Sequence, residues 1–168
     1  MSDRANDIFR TAETYSKSAK YLNSIAHHDH SQLLPSQVIA ALALELYFKA
    51  LYYVENCEDF KVNRKHSHDF HKLFQSLTET SRNALILSFE SQILARDMQD
   101  IEAIEAASGV SIPRDLTGNL EVWSNIFTQM RYIHDRAYAG TGRSMMFFPE
   151  IEKSARSVII DLRPEFQS

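Results

Sequence analysis

The stretch Val38-Ile39-Ala40-Ala41-Leu42-Ala43-Leu44-Glu45-Leu46-Tyr47-Phe48-Lys49-Ala50-Leu51-Tyr52-Tyr53-Val54 decides the fold. Only Glu45 and Lys49 are charged, and everything else is apolar or aromatic. A helix that is apolar all round is buried all round. In a chain of 168 residues such a helix lies at the centre of a bundle or is covered by a second subunit. Ala40, Ala41, Ala43 and Ala50 permit close approach of neighbouring helices. The expectation is a homodimer. The two central charges argue against a membrane span.

Outward from this helix the apolar spacing stays helical. Pro35 and Ser36 open it, with proline suited to a first turn. Upstream, Ile8, Ala12, Tyr15, Ala19 and Leu22, with Ile25 or Ala26, form one stripe and predict an amphipathic helix over residues 3–26. The polar run His27 to Gln32 joins the two. Downstream, Ser67 or Asp69 can cap a short helix carrying Phe70, Leu73, Phe74 and Leu77. Leu85, Ile86, Phe89, Ile93, Leu94, Met98, Ile101 and Ile104 predict one helix from Thr80 to Ala107, stopped at Gly109. Ser111 to Gly118, with Pro113, reads as a connector. Further helices follow over 119–138, ended by Gly140-Thr141-Gly142, and over about 147–162, where Ile151, Ala155, Val158 and Leu162 share a face.

Composition agrees with this pattern. Gly and Pro number only four each, too few for the frequent turns of a sandwich or barrel. A 19.3 kDa chain can bury about 70% of its extended surface, enough for one core without disulfides or metals. The expectation is one all-α domain over residues 1–168, an up-and-down bundle of four to six helices. Eighteen basic against 22 acidic residues leave a net charge of −4. A broad phosphate-binding surface shows the opposite balance. Cys57 is alone, so no intrachain disulfide forms. The opening Met1 to Asp7 shows no basic and apolar leader, and the simplest address is the cytoplasm.

Three groups of residues carry chemistry. Arg131, His134, Asp135 and Tyr138 follow i, i+3, i+4, i+7 spacing beside the apolar stripe of Trp123, Ile126, Phe127, Met130, Ile133 and Ala137. A cation, an imidazole and a carboxylate on one ridge suit anion recognition or acid–base work, and equally a core-edge histidine with a salt bridge. Glu45 and Lys49 are i, i+4 on a face shared with Val38, Ala41, Leu42, Phe48 and Tyr52. They are either a structural ion pair or the lining of a cleft with Arg131, in which case Glu45 contacts Arg131. His27, His28 and His30, with His66, His68 and His71, lie in loops without cysteine or His-Glu-x-x-His support, so no metal site is expected. Asp69 can serve helix amides, and a neighbouring carbonyl can orient His68. Gly140-Thr141-Gly142-Arg143-Ser144 lacks the spacing and lysine of a phosphate loop.

Three segments together resemble the HEPN domain superfamily. They are Ala43-Leu44-Glu45-Leu46-Tyr47-Phe48-Lys49-Ala50-Leu51, His68-Asp69-Phe70-His71-Lys72-Leu73-Phe74 and Met130-Arg131-Tyr132-Ile133-His134-Asp135. The resemblance spans roughly residues 5–162. It implies a helical bundle, commonly a homodimer about a two-fold axis. Many HEPN proteins are metal-independent ribonucleases of toxin–antitoxin or defence systems, with Arg-x4-6-His on the late helix. Here only two residues separate Arg131 from His134. Arg64 and His71 have six between them but precede the late helix, and their spacing is taken as accidental.

The resemblance therefore implies a dimeric module that binds a nucleotide, RNA or a cognate protein partner without the standard ribonuclease activity. The expected ligand-binding residues are Glu45, Lys49, His68, Asp69, Arg131, Tyr132 and Asp135. The alternative is a metal-independent ribonuclease or toxin in which Arg131 binds phosphate and His134 transfers protons. No cofactor is expected in either case.

Overall fold

The computed structural model describes residues 4–26, 28–62, 67–124 and 146–167. Seven α-helices lie among them, and none of the described residues forms a β-strand. They are α1 (Arg4–Ala26), α2 (Leu33–Asn56), α3 (Phe70–Gln75), α4 (Glu79–Leu94), α5 (Gln99–Ser108), α6 (Leu116–Trp123) and α7 (Phe148–Leu162). Short 3₁₀ turns precede α2 (His30–Gln32) and follow α7 (Pro164–Gln167). The all-α class stands as expected from the sequence, but with seven helices among the described residues in place of four to six.

α1 and α2 form a long antiparallel hairpin. Arg4, at the start of α1, pairs with Asp59 just beyond α2 at 2.8 Å, and Glu13 meets Tyr47 nearer the middle. Phe9 packs edge-on against Tyr47, with ring centroids 5.8 Å apart, and also meets Phe166 near the C-terminus. α7 packs against both α2 and α4, while α3 bridges α2 and α6.

α2 is the core helix. Ala40, Ala41, Ala43, Leu44, Tyr47, Phe48, Ala50 and Leu51 are all buried. It is not buried on every side, however. Val38, Leu42, Leu46 and Tyr53 form a half-buried stripe. By length and composition alone α2 could cross a membrane. It begins at Leu33, earlier than Pro35, which costs nothing because the first four helical amides have no intrahelical acceptor. Cys57 closes it in the left-handed region (φ 56°), its amide donating to the Tyr53 carbonyl.

The expected helix from Thr80 to Ala107 is two helices. α4 ends at Leu94 and α5 begins at Gln99. At the break the Asp97 carboxylate accepts from the Gln99 amide at 3.0 Å. Arg96 is drawn across to Glu150 of α7 and lies over the Phe147 ring at 5.2 Å. The apolar spacing runs on through the four-residue break because that insertion shifts the phase by little more than one turn. Gly109 stops α5 with a left-handed φ of 67°, as its position predicted.

α6 also departs from expectation. It starts at Leu116, inside the presumed connector, because the Asp115 carboxylate caps it by accepting from the Gly118 amide at 2.8 Å. Gly118 sits tightly there, since a Cβ would stand 2.8 Å from that of Pro113. α6 ends at Trp123, with Ser124 as its C-cap, and the rest of the helix expected over 119–138 lies outside the described residues. On α7, Ile151, Ala155 and Val158 are buried as expected, but Leu162 is exposed at the helix end and Ile159 is buried.

Candidate functional site

Glu45 organises the candidate site. Its side chain is nearly buried between two donors. Lys49, one turn later on α2, pairs with Oε1. His68, in the loop before α3, approaches the carboxylate from the other side. Its Nδ1 lies 3.0 Å from Oε1 and 2.8 Å from Oε2. A carboxylate here only accepts, so Nδ1 carries the proton and Nε2 occupies the opposite edge of the ring. That ring is 63% exposed and Lys49 19%, whereas Glu45 is 5% exposed. The carboxylate is thus a buried anchor holding an ammonium and an imidazole towards the surface. His68 is oriented by this side chain and not by a carbonyl.

Next to it, Asp69 caps α3. Its Oδ1 accepts from the Lys72 amide at 3.0 Å, and its Oδ2 pairs with the Lys72 ammonium at 3.1 Å. Burial opposes ionisation of Asp69. The Lys72 amide and ammonium and the Ser124 hydroxyl outweigh it, and the carboxyl stays below its usual range. Ser124 joins α3 to α6. Its Oγ accepts from the His71 amide at 3.0 Å and donates to the Leu120 carbonyl at 2.9 Å. The His71 ring stands 3.7 Å from the Glu121 carboxylate, and its buried Nδ1 makes no hydrogen bond among the described residues.

Of the site residues expected from the sequence, Glu45, Lys49, His68 and Asp69 come together. Arg131, Tyr132, His134 and Asp135 lie outside the described residues, as does the expected contact of Glu45 with Arg131. Arg64, His27 and His66 lie outside them as well, and so does the Gly140 to Ser144 run. Among the described residues no group of three histidine, cysteine, aspartate or glutamate side chains is placed to hold a metal ion.

A second polar assembly escaped the sequence reading. It ties α1, α2 and α7 together. The Tyr47 hydroxyl donates to Glu13 Oε1 at 2.6 Å, and Arg156 Nε reaches the same oxygen at 2.8 Å. Burial first, and then the hydrogen bond to Glu13, push the Tyr47 phenol far above its ordinary value. One turn along, Glu152 is buried and accepts from Ser16 at 2.5 Å and from Lys20 at 2.9 Å. Charges balance, two against two. Tyr47, Ser16 and Glu152 are buried, their partners come from other helices, and no spacing within one helix marks them as partners. Only the apolar flank of Ile151 and Ala155 beside Glu152 hinted that a carboxylate was turned inward.

No protein-family model, no curated protein and no solved structure matches this chain.

Proposed function

We propose that this chain is a HEPN-like helical module, working as a cytoplasmic homodimer, that binds the phosphate groups of a nucleotide or RNA without the standard ribonuclease activity. The observation that carries the reading is the buried Glu45 carboxylate holding Lys49 and His68 at one surface. A buried anion that fixes two nitrogen donors removes their rotational freedom. Donors ordered in advance bind an incoming phosphate at lower entropic cost. Asp69, Tyr132, Arg131 and Asp135 complete the proposed binding set by the HEPN resemblance.

Fluorescence anisotropy with a short labelled RNA, competed by ATP, tests it. Lys49→Gln and His68→Gln should each weaken binding roughly tenfold, about 1.4 kcal/mol. Unchanged affinity in both variants would remove these residues from the site, and binding of neither RNA nor ATP would leave a cognate protein as the partner to seek.

In the alternative reading, a metal-independent ribonuclease or toxin, Arg131 binds phosphate and His134 transfers protons, with Glu45, Lys49, His68 and Asp135 as supporting groups. RNA cleavage in EDTA by the wild type, lost in Arg131→Ala and His134→Ala, would establish that reading in place of the first.

A further inference from the structure

A half-open cleft of about 200 Å³ lies between the C-terminal half of α1 and the first turns of α2 and α7. Its lining includes neither Glu45 nor any residue of α3, and the proposed phosphate site does not use it. Its wall combines two kinds of surface. Ala19, Ala40, Leu33 and Phe148 supply an apolar floor, and Lys20, Asn23, Ser36 and Gln37 supply polar groups. In a chain of net charge −4, the described residues that line it include one cation, Lys20, and no carboxylate.

The cation is held in place. Lys20 Nζ lies 2.9 Å from Glu152 Oε1, and the same oxygen is fixed from behind by Ser16. Glu152 is only 4% exposed, so the anchor does not compete at the mouth of the cleft. An ammonium carries three donors, and this pair engages one. Buried apolar cavities of about 150 Å³ hold a benzene-sized molecule. The cleft therefore has room for one ring with a carboxylate at the Lys20 end.

We propose that this cleft is a binding site for a small organic monocarboxylate, its apolar body on Ala40 and Phe148 and its carboxylate on Lys20. Benzoate is the probe, and the full-length chain is titrated by two-dimensional NMR. Saturable shifts at Ala19, Asn23, Gln37 and Ala40 are expected, with a dissociation constant on the order of 1 mM. Benzamide, the neutral isostere, should bind at least tenfold more weakly. Lys20→Gln, at a largely exposed position, should lose about the same factor for benzoate and leave benzamide unchanged. Equal binding of benzoate and benzamide would overturn the proposal, as would benzoate affinity unchanged in Lys20→Gln. Shifts that fail to saturate, or that sodium chloride reproduces, would overturn it too.

Discussion

His68 Nδ1 sits 2.8 Å from Glu45 Oε2, and the two residues are 23 positions apart in the chain. The contact pins the loop before α3 onto the core helix. It also leaves Glu45 with two partners, one local and one distant. Removing the carboxylate should therefore cost more than an ordinary surface ion pair, which is worth about 0–1 kcal/mol. Glu45→Leu is expected to destabilise the protein by about 3 kcal/mol, at the lower end for breaking a buried pair because Lys49 is partly exposed. The double variant Glu45→Leu with Lys49→Met should recover most of that loss. Urea titration of both, followed by fluorescence of the lone, buried Trp123, measures the coupling. Additive losses would show that Lys49 does not depend on Glu45.

Asp69 links stability to acid. Its carboxyl is depressed in the folded state, so its contribution is complete above the unfolded value of about 3.9. That contribution fades as the pH falls through the lower folded value. Asp69→Asn should keep the cap of α3 and flatten this acid limb, whereas Asp69→Ala should cost about 1 kcal/mol at neutral pH. Denaturant midpoints taken from pH 2 to 7 separate the two effects, and an identical acid limb in Asp69→Asn would refute the assignment.

Tyr47 acts at the other end of the scale. Its phenol is raised, so the folded state keeps the proton and gains stability below the ordinary tyrosine value of about 10. The gain disappears as the pH climbs from there towards the folded value. Of the seven tyrosines, Tyr47 is expected to ionise only as the protein unfolds. Ultraviolet titration of the wild type beside Tyr47→Phe would reveal it as a missing phenolate in the native range. The hydroxyl's loss should itself cost about 1 kcal/mol.

Two leucines on α4 should behave oppositely. Leu85 has no exposure, and Leu94, at the α4–α5 break, is 88% exposed. Leu85→Ala should cost about 2–5 kcal/mol. Leu94→Glu should stay within about 0.5 kcal/mol, as surface changes usually do. A large loss at Leu94 in the same urea assay would mean that a partner covers it.

The helices themselves were legible because their signals are local. Apolar spacing marked α1, α2 and α7, and single residues marked the ends: Asp69 caps α3, and Gly109 stops α5. The pairing of Lys49 with Glu45 was legible for the same reason, since i, i+4 geometry is set within one helix. Where boundaries were misread, distant groups intervened. Arg96 leaves the α4 path for Glu150 and Phe147. Neither partner is visible from the local pattern.

The sequence by itself determined an all-α chain, a nearly uncharged central helix and an acid–base pair within it. Hydrophobic periodicity and capping depend on residues a few positions apart, so they can be read without a fold. Only the tertiary structure decided that His68 completes the Glu45 pair, that Glu13, Tyr47 and Arg156 share one oxygen, and that Lys20 is held by Glu152 over a cleft. These contacts join residues from 23 to 143 positions apart. Their geometry comes from how α1, α2 and α7 cross, and side-chain packing sets that crossing.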